Sequence, residues 1–178
     1  MKREPFLLIG MLIVIVLVAG CSEESVPEVT IPPADMVQPG QVLITTGDVT
    51  GDGIAGGTID TITFTLALVP GSAPVDMEKI SIIYADTIKT ETLLPVDGFR
   101  GDPARGKWGI IEVKNQIGNT NNRLEYQEQF VIRINPWAYL PAKRLVTIVV
   151  RPSTGTPLTF RRVAPATILQ QNNILAPL

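Results

Sequence analysis

The fold of this chain is decided by residues 59–69, which read IDTITFTLALV. From Ile62 onward every second residue is large and apolar, and threonines fill most of the positions between. Successive side chains of a β-strand point to opposite faces of a sheet, so a period of two predicts a strand with one buried face. We expect Ile62, Phe64, Leu66 and Leu68 to form the face that points into the core.

Seven further stretches on either side of this segment also read as strands. They are residues 41–46, 79–84, 88–94, 108–114, 124–134, 145–151 and 157–163. Turn residues separate nearly all of them, for example Gly51-Asp52-Gly53 and Pro95-Val96-Asp97-Gly98. Short strands at this spacing predict an all-β domain, an antiparallel β-sandwich of about seven or eight strands. The tail, residues 167–178, fits either a short helix or an edge strand.

Charge, histidine content and cysteine content narrow the functional classes. The net charge is -2, which gives no electrostatic reason to expect a nucleic acid partner. The chain has no histidine, the commonest general base and the commonest metal ligand. Its single cysteine, Cys21, cannot form an intrachain disulfide. No nucleophile–base pair is recognisable either, so we predict that the chain is not an enzyme and has no catalytic or cofactor-binding residues.

The N-terminus has the features of an export signal. Lys2 and Arg3 precede an apolar run at residues 6–20, which is shorter than the roughly 20 residues that span a membrane. Val18-Ala19-Gly20-Cys21 resembles a lipobox, in which the cysteine thiol receives a diacylglyceryl group. The alternative is an uncleaved signal anchor in which Cys21 is incidental. Either interpretation tethers the chain to the membrane and places the remainder outside the cytoplasm.

The sequence therefore divides into three parts. Residues 1–21 are predicted to be a hydrophobic signal or anchor segment, helical in character, and residues 22–40 a linker rich in proline and acidic residues. We expect the linker to be an extended, solvated spacer, because its composition provides little to bury. Residues 41–178 are predicted to be the β-sandwich domain.

One glycine-rich stretch resembles the start of a calcium-binding loop. Asp48-Val49-Thr50-Gly51-Asp52-Gly53 has oxygen ligands at positions one, three and five and glycine at position six. The carboxylate required at position twelve is replaced by Ile59, and Asp60 lies one residue too far along. We therefore predict a turn between strands, with no metal and no other cofactor. If calcium binds here, its site is a looser one formed by Asp48, Asp52 and Asp60.

Other motifs also favour a structural interpretation. Arg100-Gly101-Asp102 is an adhesion tripeptide in other systems, but its glycine and the following Pro103 predict a turn. Paired carboxylates could serve glycoside chemistry, but the candidates lie on alternating strands and are expected on solvated faces. They are Glu112, Glu125 and Glu128. Trp108 and Trp137 are expected in the core or at its rim.

Several stretches together resemble the outer domain of archaeal flagellins, the archaellins. They are GDVTGDG at residues 47–53, the strand at 59–69, the corner and strand VPGSAPVDMEKISIIY at 69–84, LEYQEQFVIRI at 124–134 and the closing hairpin at 151–165. No one motif decides the match, which rests on their order and spacing. The resemblance implies a β-sandwich displayed on the outside of a helical filament whose core is made of N-terminal hydrophobic helices.

The same resemblance implies a structural cell-surface protein, a subunit or minor component of an archaellum, the filament of archaeal motility and adhesion. Its partners would be copies of itself, homologous subunits or an envelope layer, with the membrane contacted through the N-terminal segment. The N-terminus departs from the family, because the apolar run ends at Cys21 where archaellins retain a longer hydrophobic helix. The alternative is thus a lipid-anchored, monomeric surface protein that serves adhesion or envelope contact.

Overall fold

The computed structural model describes residues 37–54 and 57–178. The predicted signal segment and most of the predicted linker lie outside the described residues. The described chain contains strands and one short 3-10 turn, Met77–Lys79. The strands are β1 (Leu43–Ile54), β2 (Thr58–Leu68), β3 (Val75–Asp76), β4 (Ser81–Ala85), β5 (Thr90–Arg100), β6 (Lys107–Lys114), β7 (Arg123–Leu124), β8 (Gln129–Asn135), β9 (Leu140–Pro141), β10 (Leu145–Arg151), β11 (Leu158–Val163), β12 (Asn173–Ile174) and β13 (Ala176–Pro177).

The strands form two facing layers joined by β5. One layer has the order β12-β1-β2-β8-β6, and the other has the order β4-β10-β11-β13. The first residues of β5 pair antiparallel with β4, and from Leu94 onward β5 pairs parallel with β6. The domain is therefore the predicted all-β sandwich, antiparallel except at this one pairing of long strands. In residues 37–54 and 57–178 no helix is long and apolar enough to cross a membrane.

The hydrophobic core lies between the two layers. The ring of Phe64 on β2 meets the ring of Phe160 on β11 edge-on, with 5.2 Å between the centroids. Ile62, Leu66 and Leu68 are buried beside Phe64, so the predicted inward face of β2 is confirmed. The large side chains Trp108, Tyr84 and Phe130 are also fully buried. Burial of this apolar surface is the main term that stabilises the fold.

Seven of the eight predicted strand stretches each correspond to one strand, and two of those strands continue past their predicted ends. The prediction of one strand over residues 124–134 is wrong: Leu124 ends β7, residues 125–128 form a turn in which Gln127 has a φ of 72°, and β8 begins at Gln129. β1 runs through residues 47–53, where a turn was predicted, and that prediction is wrong. β5 likewise runs through Pro95-Val96-Asp97-Gly98. Two extra residues bulge from β1 between Thr46 and Thr50, next to Gly47 with its φ of 68°. The bulge lets the strand absorb turn-type residues without ending.

The C-terminal tail forms edge strands, one of the two alternatives that its sequence allowed. β12 pairs with β1 in the first layer, and β13 pairs with β11 in the second. Leu175 between them is buried, whereas Leu169 and Ile174 are exposed. The tail thus connects the outer edges of both layers, which a helix could not do.

Candidate contact surface

The tail crosses the glycine-rich half of β1 at very close range. The Gly53 N–H donates to the Gln170 carbonyl oxygen at 3.0 Å, and the Leu175 N–H donates to the Val49 carbonyl oxygen at 2.9 Å. A methyl group on Gly53 would overlap the carbonyl oxygen of Leu169. Glycine is therefore required where the two backbones meet. The glycine-rich sequence serves tail packing at this point.

Asn173 fixes the tail to β1 through its buried side-chain amide. Its Nδ2 donates to the Gly51 carbonyl oxygen at 3.0 Å and to the Leu169 carbonyl oxygen at 2.8 Å. Its Oδ1 accepts from the Leu169 N–H at 2.6 Å. The residue is only 3% exposed, so these three bonds satisfy a polar group that water cannot reach. Sequence reasoning missed this role, because the partner on β1, Gly51, lies 122 residues away in sequence.

The three carboxylates named as alternative calcium ligands have different surroundings. Asp52 accepts from the Asn172 N–H at 3.2 Å and lies 3.9 Å from the guanidinium of Arg133. Asp48 is exposed beside the β1 bulge, and Asp60 lies on a bulge of β2. Among the described residues, no three histidine, cysteine, aspartate or glutamate side chains form a group that could hold a metal ion. That the protein needs no cofactor stays a prediction.

The predicted turn at Arg100-Gly101-Asp102 is tied into the fold at each of its three residues. The Arg100 guanidinium donates from Nε to the Asn122 side chain at 3.0 Å. The Gly101 N–H donates to the Ile110 carbonyl oxygen at 2.9 Å. Asp102 accepts from Arg133 Nη1 at 2.6 Å. All three residues of the tripeptide therefore make contacts within the domain, and the Asp102 side chain stays 77% exposed.

Glu128 corrects the expectation that the three glutamates lie on solvated faces. It is 1% exposed, whereas Glu112 is exposed. Its Oε1 accepts from the Ile117 N–H at 2.7 Å and from Gln116 Nε2 at 3.0 Å, and its Oε2 accepts from the Glu125 N–H at 3.2 Å. These bonds use the carboxylate to hold two loops together.

Exposed aromatic side chains gather where the loop before β9 packs against β5 and β6. Trp137 is 61% exposed and Tyr139 is 46% exposed. The Arg105 guanidinium carbon lies 3.8 Å from the centre of the Tyr139 ring, close enough for a cation–π contact. Arg105 Nη1 also donates to the carbonyl oxygens of Pro136 at 3.0 Å and Trp137 at 3.1 Å. The loop is therefore held in one shape by Arg105.

The indole of Trp137 lies over the backbone of Gly106, where any added methyl group would overlap the ring. The Gly106 carbonyl oxygen accepts from the Leu94 N–H at 3.0 Å, which brings Leu94 to the same place with 64% of its surface exposed. We call Leu94, Arg105, Trp137 and Tyr139 the Trp137 patch. Trp108, by contrast, is a core residue, 1% exposed. Aromatic residues and arginine are the side chains most enriched in protein–protein contacts.

The family model described as archaeal-type flagellin matches residues 40–162, which is more than half of the chain. The chain belongs to the archaeal-type flagellin family. The matched span begins just before β1 and ends within β11, so it covers both layers of the sandwich. The resemblance seen in the sequence is confirmed.

Solved structures agree with this placement at the level of the fold. Archaeal flagellin FlaB1 from Methanocaldococcus jannaschii is similar with a TM-score of 0.59 and 17% identity, over 76% of this chain and 98% of that one. The archaeal flagellum of Methanospirillum hungatei strain JF1 is similar with a TM-score of 0.53 and 18% identity, over 75% of this chain and 71% of that one. Comparison with curated protein sequences gave no match.

This archaeal-type flagellin is a structural component of the archaellum, as its family is structural rather than enzymatic. Asn173 and Glu128 hold the tail and the loops, and the Trp137 patch is an exposed surface that contains two aromatic residues. Neither buried polar residue carried a sequence motif. For Glu128, however, the sequence contained a signal. Glu128 lies two residues before Phe130 and four before Ile132, so a period of two places it on the same face as these core residues.

Proposed function

We propose that the sandwich is the outer domain of an archaellum subunit and that the Trp137 patch contacts a neighbouring subunit. The family match over residues 40–162 carries the proposal, because it spans β1 to β10 and most of β11. The patch supports the choice of surface, because arginine holds its aromatic residues in a fixed arrangement before any partner arrives. Less conformational entropy is then lost on contact.

The finer parts of the proposal concern location and chemistry. We infer that residues 1–21 export the chain and attach it at the membrane or within a filament, that residues 22–40 link this segment to the domain, and that the domain acts at the cell surface. We also infer that the protein has no catalytic activity and no nucleic acid partner. The absence of histidine from the sequence and its net charge of -2 support that inference.

Incorporation into filaments tests the proposal. The chromosomal gene is replaced by versions that encode the wild type, a Trp137→Ser/Tyr139→Ser double variant, or Ile88→Ser as a matched control. Ile88 is an apolar residue of the β4–β5 hairpin, 88% exposed, and is not one of the four patch residues. Filaments are sheared from the cells, and the chain is quantified by mass spectrometry in the filament fraction and in the cell fraction.

We expect the wild type and Ile88→Ser in the filament fraction, and the double variant about tenfold depleted there while folded in the cells. Equal incorporation of all three versions would refute the role of the patch. Absence of the wild type from every filament would refute the subunit role itself. Circular dichroism of each purified chain checks that the substitutions leave the sandwich folded.

The sequence Val18-Ala19-Gly20-Cys21 favours a second candidate, a lipid-anchored monomeric surface protein that serves adhesion or envelope contact. The intact mass of the native protein separates the two. Loss of residues 1–20 together with an added lipid mass on Cys21 supports the anchored monomer. A retained apolar segment with an unmodified Cys21 supports the filament subunit.

A further inference from the structure

The two outer faces of the sandwich differ in polarity. In the first layer, β2 alternates between buried apolar residues and the outward threonines Thr61, Thr63 and Thr65. That alternation is typical of an antiparallel strand with one face in water. In the second layer, β4 reads SIIYA and β10 reads LVTIVVR, almost without alternation. Near-continuous apolar runs are typical of strands that are buried on both faces.

The outer face of the second layer is apolar at its centre. The strand register places Ile83 on β4 beside Val149 on β10, and Leu145 on β10 beside Val163 on β11. All four residues are only half-buried within the described chain, so part of their apolar surface remains in water. An apolar surface rimmed by polar residues marks a site of contact with another molecule.

The charges on this outer face have one sign. Arg151 on β10 and Arg161 on β11 are exposed, and the register directs both to the same side as Val149. The outward positions of β4, β10, β11 and residues 90–94 of β5 include no acidic residue. We give the name basic face to the surface formed by Ile83, Leu145, Val149, Arg151, Arg161 and Val163.

The opposite outer face, on the first layer, contains a polar groove of about 540 Å³. The charged residues that line it, three acidic and two basic, are Asp48, Asp52, Glu112, Lys114 and Arg133. Asp48 and Glu112 are exposed, and among the described residues neither lies in an ion pair. The same holds for the two arginines of the basic face. The sandwich thus carries unpaired charges of opposite sign on its two outer faces.

We propose that the basic face of one copy of this chain docks on the groove of the next copy. The contact covers the apolar centre of the basic face and brings Arg151 and Arg161 near Asp48 and Glu112. A pairing of two basic faces is disfavoured, because their arginines would repel one another.

The consequence of this contact is open-ended association. The two faces lie on opposite sides of the sandwich, so each docked copy still presents one free face of each kind. A contact between unlike surfaces continues from copy to copy, whereas a contact between like surfaces closes at a dimer. The inference rests on the proposed subunit role and adds a second pair of surfaces to the Trp137 patch.

Cross-linking of the purified full-length chain in mild detergent tests the proposal. Val149→Cys lies at the centre of the basic face, and Thr65→Cys lies in the groove. The two substitutions are made together and singly, Cys21 is left unchanged, and a short bifunctional maleimide is added. The matched control combines Val149→Cys with Thr120→Cys, an exposed residue of the loop between β6 and β7 that belongs to neither outer face. Gel electrophoresis counts the joined copies, and peptide mass mapping identifies the joined residues.

We expect the Thr65→Cys/Val149→Cys variant to give a ladder of dimers, trimers and longer species, joined between positions 65 and 149 of different chains. A mixture of the two single variants should stop at the dimer. A ladder no stronger than that of the control would overturn the proposal. So would a link between two copies of position 149, which means that basic faces pair, or a link from position 149 to Cys21, which means that the N-terminal segment covers the face.

Charge reversal provides a second readout on the same cross-link. Arg151→Glu/Arg161→Glu should lower its yield about tenfold, because carboxylates then face carboxylates. Adding Asp48→Lys/Glu112→Lys to that variant should restore the yield. An unchanged yield in Arg151→Glu/Arg161→Glu would contradict the proposed pairing of faces.

Arg123→Glu/Lys143→Glu is the control for charge reversal. It makes the same change of net charge at two exposed residues outside the basic face, and its yield should equal that of the parent. Circular dichroism checks that every variant is folded. Because these measurements use the purified chain, they can fail while the chain is found in filaments, and they can succeed while it is not.

Discussion

Replacing Glu128 with alanine should destabilise the domain by about 3 kcal/mol. The substitution removes the acceptor for three hydrogen bonds, from the Ile117 N–H, Gln116 Nε2 and the Glu125 N–H. Gln116 is exposed, so its amide turns to water at little cost. The two backbone N–H groups lie in part-buried bonds and lose a charged acceptor, at about 1.5 kcal/mol each.

The conservative variant Glu128→Gln should cost roughly half as much. A glutamine keeps one acceptor oxygen but presents its amide hydrogens to one of the two backbone donors, so one bond is kept and one is lost. Glu112→Ala is the matched control, because Glu112 is an exposed glutamate on β6. Its change in stability should lie within about 0.5 kcal/mol of zero.

Urea unfolding followed by circular dichroism measures these differences, with the slope of the free energy against urea compared between variants. A constant slope shows that the change lies in stability and not in the extent of unfolding. If Glu128→Ala and Glu112→Ala cost the same, the buried carboxylate does not hold the loops together, and the description of residues 116–128 is wrong.

Two further predictions follow from buried polar groups. Asn173→Ala should lower the unfolding free energy by about 2 kcal/mol and release the tail to proteases, whereas Gln171→Ala, at an exposed position of the tail, should change little; equal digestion rates would count against the tail contact. Burial, with Asp86 adding to it, raises the pKa of Tyr84 above its ordinary value of 10.0. The folded state thus favours the neutral phenol. The resulting contribution to the free energy of unfolding is fully present below pH 10 and decreases as the pH rises further. The urea midpoint should therefore decrease as the pH is raised beyond 10, both in the wild type and in the control Tyr126→Phe. It should decrease less in Tyr84→Phe. The same dependence of the midpoint on pH in Tyr84→Phe and in the wild type would contradict this.

Local alternation was sufficient to predict most of the strands and the inward face of β2, but not the turn at residues 125–128 that divides the stretch 124–134. The buried face of residues 62–68 follows from the period of two alone, because one layer of the sandwich covers it. The period of two also applies to Glu128, which lies two residues before the core residue Phe130 and is buried like it. Its charge led to the opposite expectation, because a buried carboxylate is acceptable only when donors surround it. Two of the three donors, Gln116 Nε2 and the Ile117 N–H, come from a loop that local patterns do not position.

Contacts between distant parts of the chain account for the other differences. Glycine and aspartate predicted a turn at residues 51–53, yet the tail crosses there and makes the segment an edge partner of β12. Gly53 is needed for that crossing, not for a change of chain direction. The Trp137 patch could not be predicted either. It depends on Gly106 and Arg105 meeting a loop more than thirty residues away in sequence.

Immunoelectron microscopy of intact cells tests the central claim most directly. Antibodies raised against the purified domain are applied to cells that express the wild-type chain from its own gene, with a deletion strain as the control for specificity. A structural component of the archaellum predicts label on the filaments, along their length for a subunit or at restricted positions for a minor component. Label confined to the cell body, with filaments present and unlabelled, would contradict the account.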